Sequence, residues 1–276
     1  MNLVGFEKAI IWLRRATFYA VVVAVLGYVV MPLVITLWVA FFSDQVISFP
    51  PAGYTVSWFP RAWTTGGFRD AFLLSAKLGL LAMLCGLAIG VPAAVAIARG
   101  DFRGKELINT LLLSPLMIPA VVSGCAMYLY YIEIELASDV PLAGTFPGLL
   151  VAHVVITIPW VVRLVTASLV GMDRAVEEAS MNLGANRLVT FWRVTLPVIK
   201  PGIVAAALFS FIASFADLER SMFLVGPGKQ TLSVAIITYL EWQLDPVIMA
   251  VATIQITIIG ASLVISDHYV KLSRAF

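Results

Sequence analysis

The residues able to do chemistry are few, and their spacing excludes most of it. His153 and His268 stand apart from each other and from any cysteine, so no HExxH or CxxC pattern exists to hold a catalytic metal. Cys85 and Cys125 each lie inside a long apolar block and read as two buried thiols serving as small apolar side chains. No GxxxxGK[ST] loop is present, so the chain has no phosphate cradle of its own. What remains is a set of charges in apolar surroundings. Asp217, Glu219 and Arg220 sit together at the end of one apolar block, and Lys77 and Arg163 lie inside others. A charge at membrane depth is costly and by default a functional candidate. Asp217 is the leading candidate among them. Asp217 alone does not supply the paired acids or zinc motif of an intramembrane enzyme.

The segments that carry these charges are unusually apolar. Of 276 residues, 61% are hydrophobic and 12% charged, with a mean hydropathy of +0.98. A soluble chain carries about 25% charged residues. Half of that leaves too few ionisable groups to cover a water-facing surface. A spanning helix needs about 20 mainly apolar residues, and blocks of that kind occupy 17–42, 71–98, 107–132, 148–172, 202–224 and 246–266. The fold class is therefore an all-α membrane protein, a bundle of six transmembrane helices forming a single domain over 1–276. The first block is too long, and too poor in small residues at its end, for a cleaved signal peptide, so it reads as a retained span. The fifth has the loosest outer boundary, because it ends in Asp217, Glu219 and Arg220.

Orientation follows from the flanking cations. With both termini inside, the cytoplasmic pieces hold Lys8, Arg14, Arg15, Arg99, Arg103, Lys105, Arg174, Arg187, Arg193, Lys200, Lys271 and Arg274. The outer pieces hold Arg61, Arg69, Arg220 and Lys229, together with the acids Asp44, Asp70, Glu133, Glu135, Asp139, Glu241 and Asp245. Lys77 lies near the outer end of its span and can snorkel. Arg163 lies deeper, to pair with an acid or reach the inner interface. The outer segment 49–69, with Pro50, Pro51, Pro60 and three aromatics, suits a loop or short surface helix. Segment 226–245 opens on a Gly-Pro-Gly turn and continues as an apolar run over 232–240 that is too short to span.

One inner loop, 173–200, is long. Its first part, 173–182, reads as a helix capped by Asp173, with Glu177 and Glu178 in the first turns. Gly184 permits a positive φ and a change of direction. A second short helix follows over 186–194, closed by Pro197 and Pro201. The apolar members Val176, Met181, Leu183, Leu188, Phe191 and Trp192 are available to pack on the bundle or on a partner.

Within this loop Glu178-Ala179-Ser180 is followed after three residues by Gly184, and nine residues later by Val194, Thr195 and Leu196-Pro197. This resembles the cytoplasmic signature of permeases of ATP-binding-cassette importers, written EAA, three residues, Gly, nine residues, Ile, one residue, Leu-Pro. Ser180 and Val194 are the two conservative departures. The resemblance implies a type I, binding-protein-dependent importer permease of a bacterial inner membrane, with 173–200 as a coupling helix on an ATPase subunit. Glu178, Ala179, Gly184, Leu196 and Pro197 would be its ATPase-coupling residues. ATP and Mg would be bound by the partner ATPase, leaving no cofactor on this chain. The implied partners are a second permease, identical or different, two ATPase subunits, an extracytoplasmic solute-binding protein, a small-molecule substrate and membrane lipid, with no nucleic acid.

The C-terminal third, with Ser214-Phe215-Ala216-Asp217, Leu224-Val225-Gly226-Pro227-Gly228, Thr231-Leu232 and Asp245-Pro246, resembles the polyamine-type permeases. Those usually carry two adjacent acids where this chain has Ala216-Asp217, which weakens the electrostatic case for a polycation. Two readings of Asp217 stand: contact with the solute path, or a structural ion pair with Arg220 or a partner chain. Glu219 joins it on the path or reaches the outer interface. Trp160, after Pro159, either lines a cavity or packs. An ion-gradient-driven secondary transporter or channel would also suit six spans, but would leave the loop signature unexplained.

Overall fold

The computed structural model describes residues 3–243 and 245–270, and the side chains of 11–243 and 245–267. Lys271 and Arg274 lie outside the described residues, as do the side chains of Lys8 and His268. Among the described residues the helices are α1 (Leu3–Val39), α2 (Trp58–Thr64), α3 (Phe68–Arg99), α4 (Lys105–Leu113), α5 (Ala120–Ser138) and α6 (Phe146–Val170). Then follow α7 (Arg174–Asn182), α8 (Arg187–Thr190), α9 (Leu196–Phe215), α10 (Ser221–Leu224), α11 (Leu232–Trp242) and α12 (Pro246–Val270). Among the described residues six helical runs are long and apolar enough to cross a membrane.

Two compact units divide the chain. The first comprises Met1–Ala62 and Gln243–Ile256. In it, α1 is apolar on all sides only after Arg15, and none of its best spanning window is buried within the chain. After α1 the chain folds into a small knot: Trp58 Nε1 donates to the Phe42 carbonyl at 2.6 Å. Asp44 accepts from the Ser48 hydroxyl at 2.9 Å and the Ala52 N–H at 3.0 Å, and these bonds, the Ala52 one foremost, hold its carboxyl below the usual 3.8.

The second unit comprises Trp63–Trp242 and Thr257–Phe276. Helices α3, α6 and α9 pack on one another along their lengths. Their shared core holds Ala94, Val161, Val165, Leu169, Ile199 and Ala206. Close approach is possible because α3 presents small residues. A Cβ on Gly90 would lie 2.7 Å from Val161 Cβ, so the α3–α6 contact requires glycine there. A second cluster joins Leu78, Tyr131, Leu149, Ala152 and Leu224, and Tyr131 donates to the Gly148 carbonyl at 2.8 Å. Helix α11, the short run expected over 232–240, is seated on α3: its first residues are buried, and the Leu232 N–H donates to Ser75 Oγ at 2.8 Å.

Four expectations need correction. The block 107–132 is not one helix. Pro115 and Pro119 break it into α4, a 3-10 turn at Ser114–Leu116, and the span Ala120–Ser138. The fifth span does not run over 202–224. It ends at Phe215, where Asp217 starts a new turn. Nor do Pro197 and Pro201 close the preceding helix. A π turn at Phe191–Thr195 carries α8 into α9 without a stop, and Pro197, lacking an N–H, follows directly on that widened turn. Finally, Cys85 is half-buried and Cys125 exposed on α5, both as free thiols.

Candidate functional site

The loop after α6 folds as its residues dictate. Asp173 caps α7, its carboxylate accepting the Ala175 N–H at 3.0 Å. Gly184 ends the turn with φ +93, a conformation that L side chains rarely adopt. Asn186 then caps α8 by accepting the Val189 N–H at 2.9 Å. Of the residues marked for coupling, Glu178, Ala179, Gly184 and Pro197 are exposed and Leu196 is half-buried. Leu183 at the bend is 90% exposed and Trp192 60%.

The back of this loop is polar and tied to the bundle. Glu177 lies in the first turn of α7 as the sequence implies, and its carboxylate also contacts Arg99 at the end of α3, Oε2 to Nε 2.7 Å. Its Oε1 accepts the Thr195 hydroxyl at 2.6 Å. Arg99 also donates to the Met172 carbonyl at 3.2 Å, and Arg174 donates to the Ala98 carbonyl at 2.8 Å. Ser180 and Thr190 hydrogen-bond at 3.1 Å, joining α7 to α8. A cavity of about 420 Å³ opens here, lined among others by Arg99, Arg174, Glu177, Glu178 and Arg187. Sequence reasoning missed Arg99 and Thr195. The only available signal was an arginine ending an apolar helix, which the positive-inside pattern already explained.

The second place where charge meets apolar surroundings is the break between α9 and α10. Asp217 and Arg220 are an ion pair, Oδ1 to Nη1 3.0 Å, with side chains only 5% and 12% exposed. The other carboxylate oxygen accepts from the Arg220 N–H at 3.2 Å, the Ser221 N–H at 3.0 Å and the Ser221 hydroxyl at 3.2 Å. His153, isolated in the sequence, is fully buried on α6 and bridges the break. Its Nδ1 lies 2.7 Å from Ser214 Oγ and its Nε2 3.2 Å from Ser221 Oγ. Ser233 donates to the Ala216 carbonyl freed by the break, at 3.2 Å. Glu219, two residues from Asp217, is exposed. Trp160 is stacked on Phe209, with ring centroids 5.7 Å apart. Arg163 is exposed on α6, and Lys77 Nζ lies 4.9 Å from the Phe146 ring centroid.

The described residues thus hold membrane-length apolar helices and an exposed helical elbow tied to α3 and to the base of α9. Residues 86–272 match the family described as the binding-protein-dependent transport system inner membrane component. The chain belongs to that family: it is an integral inner-membrane permease of an ATP-binding-cassette importer. It is 28% identical over 245 residues to the putrescine transport system permease protein PotI of Escherichia coli, covering 88% of this chain and 87% of that one. It is 26% identical over 256 residues to the spermidine/putrescine transport system permease protein PotC of Haemophilus influenzae, covering 93% and 95%. Its fold is similar to a chain of a bacterial ABC transporter involved in the import of the acidic polysaccharide alginate, with a TM-score of 0.71 at 15% identity, covering 95% of this chain and 97% of that one.

Proposed function

We propose that this permease works as one functional domain whose segment 173–200 docks on a cytoplasmic ATPase subunit, with both termini on the cytoplasmic side. The observation that carries the reading is the two-sided character of the loop. It exposes Glu178, Ala179, Gly184 and the apolar side chains of Leu183 and Trp192, while Glu177 fastens it to α3 and to the base of α9. Exposed apolar groups of this size at a polar boundary suit a protein partner. The partners are a second permease, two ATPase subunits that bind ATP and Mg, and an extracytoplasmic solute-binding protein. Leu196 and Pro197 set the entry of the loop into α9.

The solute we propose is a polyamine or a related small organic amine, on the strength of the relatives PotI and PotC. Asp217, Glu219 and Trp160 flank its path. Glu219 is the exposed acid of the three and meets the solute's amine, while Asp217, already ion-paired, holds the turn behind it.

Mild-detergent purification followed by uptake into proteoliposomes tests the assembly. An ATPase should co-purify, and uptake should require internal ATP. Transport-competent chain recovered without any ATPase, moving solute on an ion gradient, would sink the reading. A thermal-shift screen of the cognate binding protein with putrescine, spermidine, amino-acid derivatives and phosphonates tests the cargo. Stabilisation by a phosphonate and not by an amine would overturn the polyamine assignment.

A further inference from the structure

Glu177 and Glu178 are neighbours that line one cavity but differ in exposure. Glu178 is exposed, whereas the Glu177 side chain is 14% exposed and lies between helices. Its two carboxylate oxygens face different elements, one in an ion pair and one accepting a hydrogen bond. Oε2 meets Arg99, the last residue of α3. Oε1 meets Thr195, a buried residue that ends the π turn leading into α9. Arg99 in turn holds the Met172 carbonyl, just beyond α6. One side chain on α7 therefore gathers the ends of all three helices that make the core of this unit.

The π turn gives that arrangement its consequence. At Phe191–Thr195 the helix carries a widened turn, and the Leu196 N–H reaches back five residues to the Phe191 carbonyl. Such a turn interrupts the regular hydrogen-bond ladder, is a common place for a helix to bend, and is frequent at functional sites. A push arriving through α7 and α8 would be absorbed there if nothing held Thr195. The Thr190 hydroxyl, held by Ser180, fixes the near side of the turn. The Thr195 hydroxyl, held by Glu177, fixes the far side.

We infer that Glu177 is a positioning residue, a latch on Arg99 and Thr195 that stops the π turn from taking up loop displacement and so makes α3 and α9 move with the coupling loop. This rests on the reading that an ATPase docks on 173–200. The two are separable by experiment, because the latch concerns transmission and the docking concerns hydrolysis.

The test uses the assembled transporter in proteoliposomes, with Cys85 and Cys125 replaced by serine. Spin labels are placed at two exposed positions, Val176→Cys on α7 and Lys200→Cys on α9. ATP with vanadate is the probe. In the parent protein the 176–200 distance should stay the same on trapping, because loop and helix move as one body. In Glu177→Gln, ATP hydrolysis should remain near the parent rate while the distance shifts by about 2 Å on trapping. Arg99→Gln and Thr195→Val, each removing one arm of the latch, should give the same result and stand in if Glu177→Gln fails to assemble. An unmoved distance in the variants overturns the latch. So does loss of hydrolysis in Glu177→Gln, which would make the residue part of the docking surface. Parent complex that neither hydrolyses ATP nor traps vanadate would sink the docking reading and the latch with it.

Discussion

Asp217→Asn separates the two roles open to that residue. The wild-type carboxylate serves two masters: Oδ1 neutralises Arg220, and Oδ2 caps the turn that begins α10. Asparagine keeps an acceptor for the capped N–H groups and loses the charge. Arg220 is then left 12% exposed without its counter-ion. Removing one partner of a buried pair costs about 3–5 kcal/mol, and retention of the cap puts this case near the lower end, about 3 kcal/mol. For a chain of this size that lowers the melting temperature by roughly 6–12 °C. Removing the stranded charge as well, in Asp217→Asn/Arg220→Met, should return stability to within about 1 kcal/mol of wild type. The assay is thermal unfolding in detergent alongside ATP-driven putrescine uptake in vesicles, and the double variant should recover both. If Asp217→Asn melts like wild type while uptake is lost, and Arg220→Met does not rescue it, the carboxylate is a solute contact and the structural argument fails.

Three further outcomes are expected. Gly184→Leu forces a branched side chain into φ +93, at a cost of about 1–2 kcal/mol in the loop. Membrane insertion should be unaffected and ATP-dependent uptake lost, so unchanged uptake would count against the elbow's role. His153→Ala removes a fully buried ring and leaves Ser214 and Ser221 facing a cavity, a loss on the order of 3 kcal/mol, readable as a lower melting temperature in detergent. Asp44 has a depressed folded pKa, so its contribution to the 43–53 turn is complete above the unfolded carboxylate value and disappears as pH falls through the folded one. Limited proteolysis of that turn should therefore quicken in acid, and Asp44→Asn should erase the dependence.

Hydropathy and length were enough to reach six spans, because a helix that must hide its own backbone in lipid needs a fixed number of apolar residues. They were not enough to place the ends. The block over 107–132 is apolar throughout, and a hydropathy window does not register that Pro115 and Pro119 stop the helix twice. Burial was illegible for a deeper reason. In a membrane the face toward lipid is as apolar as the face toward the core, so Cys125 reads as buried yet is exposed on α5. The elbow was legible because its capping residues, Asp173 and Asn186, and its glycine act on their own neighbours. The ties of Glu177 and His153 were not, since Arg99 and Ser221 lie far away in the chain and meet them only through packing of α3, α6 and α9.

The two acid-centred networks do different mechanical work. Asp217 binds residues three and four places ahead of it, so it stiffens a turn. The tie from that turn to the bundle is His153, which reaches from α6 to both sides of the break. Glu177 binds residues on two other elements, so it stiffens a junction. The junction stands at the base of α9 and the stiffened turn at its far end. Between them α9 lies against α3 and α6. A helix with both joints held moves as a body, and a displacement entering at α7 is then delivered to the turn that carries Glu219. Softening either joint breaks the delivery, but at different places. Loss of the Glu177 contacts lets the loop move without α9, while loss of the His153 bridge lets α9 move without the Glu219 turn. A distance measured across the π turn distinguishes them, since it changes in the first case and not in the second.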